Sequence, residues 1–173
     1  MRSAFKGQKT GLTPEPREWY PSSMEQISMQ LIFNSSNAQL FIAAFLGALI
    51  GVERELAGKD PSIRTFSLIA LGSCLFSILS LETFNEYHIG DPSRIAAQII
   101  PGIGFLGAGT IFRGKYGVSG FTTAALMWVT AGVGMAVGFN RTDLATSATI
   151  IAILLTLSLR VVHGLLRKYP TQM

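Results

Sequence analysis

The sequence predicts an all-α integral membrane protein, a bundle of about five transmembrane helices whose third helix is rich in glycine and proline and kinked. Only 14% of the 173 residues are charged and 49% are hydrophobic, whereas soluble domains carry about 25% charged residues. The apolar residues also form long runs, and the basic residues lie in short gaps between them, which is the pattern of a membrane topology. A chain with so few charges does not cover a water-facing surface of its size.

The same features argue against several other classes of protein. The net charge of +4 does not predict a nucleic-acid partner, because the basic residues form no stripe with interleaved aromatic residues. A single cysteine, Cys74, excludes a disulfide framework. No Ser/His/Asp or Cys/His set is assembled in the sequence, so we expect neither enzymatic activity nor a cofactor.

Five apolar segments justify the five helices, since about 20 residues are needed to cross the hydrocarbon core. Before them, residues 1–37 are expected to be a polar tail with a candidate interfacial helix at 24–33, and after them residues 161–173 a short basic tail. The bundle therefore occupies 38–160. The apolar segments are 38–52, 65–81, 95–112, 118–139 and 144–159.

Basic residues predict the orientation of the bundle. With five crossings, the first loop, the third loop and the C-terminus share one side, which holds eight Lys and Arg residues near the membrane: Arg54, Lys59, Arg64, Arg113, Lys115, Arg160, Arg167 and Lys168. The other side has Arg94 and Arg141. An excess of basic residues marks the cytoplasmic side, so we expect a multi-pass plasma-membrane protein with its N-terminus outside and its C-terminus in the cytoplasm.

Glycines fill the third segment, where Gly102-x-Gly104-x-x-Gly107 has the spacing of a dinucleotide fingerprint. A true fingerprint follows a strand and needs an acidic residue about 20 positions later, and neither is present. In lipid, small residues let helix backbones approach closely, which predicts close packing at Gly102, Gly104, Gly107 and Gly109. The alternative is a helix broken at Pro101 that lines a functional cavity.

Two further glycine pairs indicate a compact bundle. Gly47-x-x-x-Gly51 lies in the first segment and Gly134-x-x-x-Gly138 in the fourth. Both have the small-residue spacing that allows two helices to meet.

Charged residues follow the first apolar segment directly, at Glu53, Arg54 and Glu55. On a continuous helix Arg54 shares a face with the first glycine pair and points into the bundle. A charge inside the membrane costs at least about 2.5 kcal/mol and so implies a partner. We predict an interior ion pair of Arg54 with Glu53 or Glu55, reached by Arg94 or Gln98; the alternative is that these charges anchor the helix at the interface.

Polar residues also open the third segment, in "DPSRIAAQ". Asp91 before a proline predicts a helix N-cap, and Arg94, Gln98 and Gly102 share one helix face. The preceding loop carries Glu82 and Glu86. Although Mg²⁺ prefers carboxylate oxygens, acids this scattered are more typical of a solvated surface, so we expect no metal site.

Four stretches together resemble the MgtC/SapB family of bacterial inner-membrane proteins: "GALIGVERE", "IRT", "DPSRIAAQIIPGIGFLGAGTIFR" and "GFTTAALMWVTAGVGMAVG". The resemblance implies a five-helix membrane domain linked to growth at low magnesium and to stress adaptation. Members are described as Mg²⁺ transporters or as regulators of other membrane proteins, including transport ATPases. The partners it implies are the lipid bilayer, another membrane protein and a second copy of the chain.

Carried over by position, the family-like polar residues form the candidate site. They are Glu53, Arg54, Glu55, Arg64, Thr65, Asp91, Arg94, Gln98, Thr122 and Thr123. The sequence departs from the family at "KDPSIRT", where a glycine–leucine pair commonly precedes Arg-Thr. We also do not expect the cytosolic C-terminal domain of some members, because fourteen residues follow Leu159.

Overall fold

The all-α bundle is confirmed by a computed structural model, which describes the backbone of residues 23–88, 90–115 and 117–166 and the side chains of 35–88, 90–115 and 117–160. Within these described residues, four helices are long and apolar enough to cross a membrane, and a shorter apolar helix lies between the second and third of them. The elements are α1 (Ser23–Leu56), α2 (Ile63–Tyr87), a 3₁₀ turn (Ala96–Gln98), α3 (Ile99–Ala108), the antiparallel strands β1 (Phe112–Gly114) and β2 (Gly117–Ser119), α4 (Phe121–Gly138) and α5 (Thr142–Leu166).

The chain divides into two compact units, Met1–Phe33 and Asn34–Met173, and the membrane bundle is the second. Most of the expected polar tail lies outside the described residues, but the segment 24–33 is helical, as the beginning of α1. At the other terminus α5 continues through Leu166, past the boundary expected at 160. Residues 167–173 lie outside the described part of the chain.

Contacts between distant residues define two ends of the bundle. At one end the side-chain amide of Gln39 donates hydrogen bonds to the Val137 carbonyl and to Asn140, each at 2.9 Å. At the opposite end of α1, Glu53 contacts Arg160 of α5. We call these the Gln39 end and the Glu53 end.

The third segment is shorter than the 18 residues expected for 95–112. The helical stretch Ala96–Ala108 covers about 20 Å, against about 30 Å for a hydrocarbon core. It nevertheless returns the chain from the Gln39 end to the Glu53 end, because the preceding loop folds back along α2. Ser80, seven residues before the end of α2, donates a 2.6 Å hydrogen bond to the Pro92 carbonyl and accepts one from the Ala96 amide.

The helical geometry changes just before Pro101. The 3₁₀ turn ends at Gln98 and the α-helix begins at Ile99, so Pro101 lies in the first helical turn, where a missing backbone N–H removes little. The break therefore falls at the start of α3 and not in the middle of a long helix.

Glycines of α1 bring it against α2. A Cβ atom at Gly47 would lie 2.5 Å from the Phe66 carbonyl oxygen, and one at Gly51 would lie 2.5 Å from Cα of Ile63. Real side chains do not fit at these distances, so only glycine permits this approach.

Glycines of α4 make the same kind of contact on another side of α2. A Cβ atom at Gly138 would lie 2.6 Å from the carbonyl oxygen of Cys74, and one at Gly134 would overlap the backbone of Ala70. Helix α2 is therefore held between two glycine seams, and its inward face is fully buried at Phe66.

The close packing expected at the glycines of the third segment is wrong for two of them. No atom of the described residues lies within 4 Å of a Cβ built at Gly102 or Gly104. A Cβ atom at Gly107 would lie 3.5 Å from Cβ of Ala124, an ordinary contact. Among the described residues, the atoms nearest to a Cβ at Gly109 are carbonyl oxygens of its own turn. Helix α3 packs through its buried stripe at positions 103 and 107, and Gly102 and Gly104 lie to either side of that stripe.

Candidate functional site

A buried ion pair lies at the Glu53 end. The Arg54 guanidinium donates two hydrogen bonds to the Glu53 carboxylate, at 2.5 and 2.7 Å. The two side chains are only 7% and 4% exposed. Arg54 points inward because it continues the helix face of Gly47 and Gly51, which lies against α2. Such a bidentate pair is among the strongest hydrogen-bonded ion pairs in proteins.

Arg160 of α5 is the third member of this cluster. Its guanidinium contacts the same carboxylate, at 2.5 Å from Oε1, and the Arg160 side chain is 43% exposed. One carboxylate thus holds two cations, and the cluster of Glu53, Arg54 and Arg160 carries a net charge of +1. It joins the end of α1 to the end of α5.

The predicted interior pair of Arg54 with Glu53 is confirmed, but the other residues predicted to join it lie elsewhere. Glu55 is exposed, one residue beyond the pair and on another face of α1. The expectation that Arg94 or Gln98 reaches the pair is wrong, because both lie near the Gln39 end, at the start of the short third helix. The physical reason is that the loop before α3 re-enters the bundle beside Ser80 and fixes both residues far from Glu53.

Arg94 and Gln98 line a cavity between α2 and α3 with a volume of about 950 Å³. Its walls are mostly apolar, and both Gly72 of α2 and Gly102 of α3 line it. Thr65 lines this cavity and also a second one of about 600 Å³, which reaches Asp60 at the Glu53 end.

Asp91 caps a turn and does not cap α3 itself. Its carboxylate accepts hydrogen bonds from the Ser93 amide, at 2.8 Å, and from the Ser93 hydroxyl, at 2.7 Å. These hydrogen bonds lower the pKa of Asp91 below its usual value. The carboxylate therefore stabilises the re-entrant loop that carries Arg94.

The remaining predicted polar residues are dispersed. Arg64 and Thr122 are exposed, whereas Thr123 is buried in α4. In the described part of the chain, no group of three His, Cys, Asp or Glu side chains is close enough to hold a metal ion.

Sequence reasoning missed three residues that organise the bundle: Arg160, Gln39 and Ser80. A signal existed for Arg160, because the basic-residue count already placed it on the same side as Glu53. Gln39 and Ser80 gave no signal, since their roles depend on which backbone carbonyl comes within reach of the folded chain.

The four apolar helices, the glycine seams and the buried ion pair define a polytopic helical membrane protein. The family model of the MgtC family matches residues 40–165, nearly the whole bundle. The chain belongs to the MgtC family, as its sequence motifs predicted.

Curated relatives support this assignment. An Escherichia coli K12 protein named "Putative magnesium transporter YhiD" is 42% identical over 132 residues, which cover 73% of this chain and 60% of the relative. The "Protein MgtC" of Salmonella typhimurium strain 14028s is 43% identical over 121 residues, which cover 70% of this chain and 51% of the relative. The chain thus spans between half and three fifths of these relatives. No solved structure matches it.

Proposed function

We propose that the chain is a non-enzymatic regulator in the bacterial plasma membrane that acts on another membrane protein when magnesium is limiting. Membership of the MgtC family and a relative named as a magnesium transporter support the link to magnesium. The choice of a regulator over a transporter rests on the chemistry of the bundle interior.

The main observation is that the described cavities offer Mg²⁺ no suitable path. Mg²⁺ binds through carboxylates and waters in a near-octahedral set of oxygens. The larger cavity has mostly apolar walls and contains the guanidinium of Arg94, which repels a divalent cation. The buried carboxylate of Glu53 is already occupied by two arginines.

Two features that could have distinguished these functions support neither of them. A lipid-facing seam at Gly134 and Gly138 would have favoured a regulator, but both glycines face α2. A wet cavity lined jointly by Arg54, Arg94 and Gln98 would have favoured transport, but Arg54 lies apart from the other two.

Other small residues, which do not face α2, are exposed and could contact a partner protein. Gly104 and Ala108 are exposed one turn apart on α3, and Gly132 is exposed on α4. Open small residues allow a second transmembrane helix to approach closely. We therefore place the partner-binding surface on the outer side of α3 and α4; another membrane protein is the proposed partner, and a second copy of the chain is the alternative.

A flux assay combined with complementation tests this proposal. Purified protein in liposomes should give no Mg²⁺ uptake above that of empty liposomes, while the wild-type gene restores growth of a deletion strain at low magnesium. Gly104→Leu should abolish that growth with unchanged membrane level and melting temperature, because the added side chain meets open space within the chain. Ile151→Leu on the exposed face of α5 is the control and should grow normally.

The alternative function is a small transporter for Mg²⁺ or another solute, and the name of the E. coli relative favours it. Uptake of Mg²⁺ that depends on the wild-type protein would establish the transporter and overturn the regulator. Normal growth of Gly104→Leu would remove the proposed partner surface.

The orientation of the bundle is part of the proposal. Arg64, Arg113 and Arg160 all belong to the Glu53 end, which we therefore place in the cytoplasm. A reporter active only in the cytoplasm should give a signal when fused after Lys168 and none when fused at Asn85. The reverse pattern would contradict the five-crossing path.

A further inference from the structure

The cavity between α2 and α3 has the form of a binding site for an amphiphile. Its volume of about 950 Å³ is at the upper end of the range of small-molecule sites, about 300–1,000 Å³. The walls are formed by apolar side chains such as Ile69, Phe76 and Leu106. Gly72 and Gly102 keep the space open, because no described atom lies within 4 Å of a Cβ built at either position.

Polar groups occur at one end of this cavity. Arg94 and Gln98 line it near the Gln39 end and are one helical turn apart. Among the described residues, the Arg94 side chain makes no hydrogen bond or ion pair, although the Asp91 carboxylate attracts it electrostatically. One oxygen of the Asp91 carboxylate, Oδ1, accepts both hydrogen bonds from Ser93. Arg94 therefore has a charge and five donors for an anion outside the chain.

The position of Arg94 beside the membrane-spanning helices gives that anion a source. The loop residues around Arg94 lie beside Ser80, which is seven residues, or about 10 Å, from the end of α2. A charged side chain beside membrane-spanning helices usually has a partner, because an unpaired charge there is costly. The phosphate of a phospholipid is an anion that the bilayer supplies, and arginine binds phosphate through two parallel N–H donors.

The length of the cavity also fits a lipid. From Arg94 to Leu106 the chain advances twelve residues, or about 18 Å, while one leaflet of the hydrocarbon core is about 15 Å deep. An acyl chain that starts from a phosphate at Arg94 would reach the apolar wall at Leu106.

We propose that this cavity binds one anionic phospholipid, with its phosphate on Arg94 and Gln98 and an acyl chain between α2 and α3. The site is separate from the Glu53 cluster and from the partner surface at Gly104, so it does not depend on the proposed function. Phosphatidylglycerol is the probe, because its headgroup leaves a net negative charge.

Native mass spectrometry of the detergent-purified full chain tests the proposal, with phosphatidylglycerol and phosphatidylcholine added in turn. Wild type should bind one phosphatidylglycerol about tenfold more tightly than phosphatidylcholine, about 1.4 kcal/mol. Arg94→Gln should abolish this preference, and Gly102→Leu should prevent binding of either lipid by filling the cavity. Arg141→Gln, at the same end but outside the cavity, and Gly104→Leu, on the same helix, are the matched controls and should bind like wild type.

Several results would overturn this inference. They are equal binding of the two lipids by wild type, an undiminished preference in Arg94→Gln, and unchanged binding in Gly102→Leu. If Gly102→Leu does not fold, Gly72→Leu fills the same space from the opposite helix. Inorganic phosphate at millimolar concentration should not displace the lipid; displacement would show that the site recognises a free anion and not a phospholipid.

Discussion

Removal of the Glu53 carboxylate is the sharpest perturbation of this bundle, because it leaves two arginines without a counter-charge. Arg54 is buried, and loss of one member of a buried pair costs about 3–5 kcal/mol. Arg160 is 43% exposed and adds little, since it returns to solvent or lipid headgroups. We therefore expect Glu53→Ala to destabilise the protein by about 3–5 kcal/mol, and Arg160→Ala by about 0–1 kcal/mol.

Thermal unfolding in detergent measures this difference. For a chain of this size, about 2–4 °C of melting temperature corresponds to 1 kcal/mol, so Glu53→Ala should melt roughly 6–20 °C below wild type. Glu55→Ala is the matched control, since it removes the neighbouring but exposed carboxylate, and should melt near wild type.

A paired substitution separates the buried charge from simple loss of packing. The double variant Glu53→Leu with Arg54→Leu should recover most of the lost stability, because replacing both members of a buried pair by apolar groups is often neutral. If Glu53→Ala melts like Glu55→Ala, or if the double variant is less stable than Glu53→Ala, the energetic argument is refuted.

Three further predictions concern packing, the re-entrant loop and pH. Gly138→Ala should destabilise the bundle by about 1–3 kcal/mol because its Cβ would overlap α2, whereas Gly132→Ala on the same helix meets open space and should be neutral or stabilising in the same melting assay. Ser80→Ala should cost about 1–3 kcal/mol in that assay, because it removes the hydroxyl that bonds the loop backbone. The pKa of Asp91 is lowered in the folded protein, so its ionised carboxylate stabilises the fold at pH values above the unfolded-state pKa, about 4. This stabilisation is lost as the pH falls through the folded-state pKa. Melting temperatures measured from pH 6 to pH 3 should therefore fall less for Asp91→Asn than for wild type.

Features that depend on local composition could be predicted from the sequence. Apolar runs predicted the four long helices, and glycine spacing predicted the seams of Gly47 and Gly138 because an interval of four places small residues on one face. The inward direction of Arg54 followed from the same periodicity.

Features that depend on where a loop lies in the folded bundle could not be predicted from the sequence. The run 95–112 is apolar throughout, so composition alone did not reveal that the helix ends at Ala108 or that the preceding loop folds back along α2. Once that loop is bonded to Ser80, Arg94 and Gln98 are carried away from Arg54. The wrong prediction that Arg94 or Gln98 reaches the ion pair and the wrong packing of Gly102 and Gly104 both follow from treating this segment as one long helix.

The two polar contacts of α1 restrict how the protein responds to the thickness of its membrane. Gln39 donates hydrogen bonds to the last turn of α4 and to the loop after it, and Glu53 is bonded to Arg160 of α5. Both ends of a stretch of about 21 Å are therefore fixed to the same neighbouring hairpin. Helix α1 therefore does not slide along that hairpin when the bilayer thins. Hydrophobic mismatch must be relieved by tilting the bundle as one body or by deforming the lipid around it.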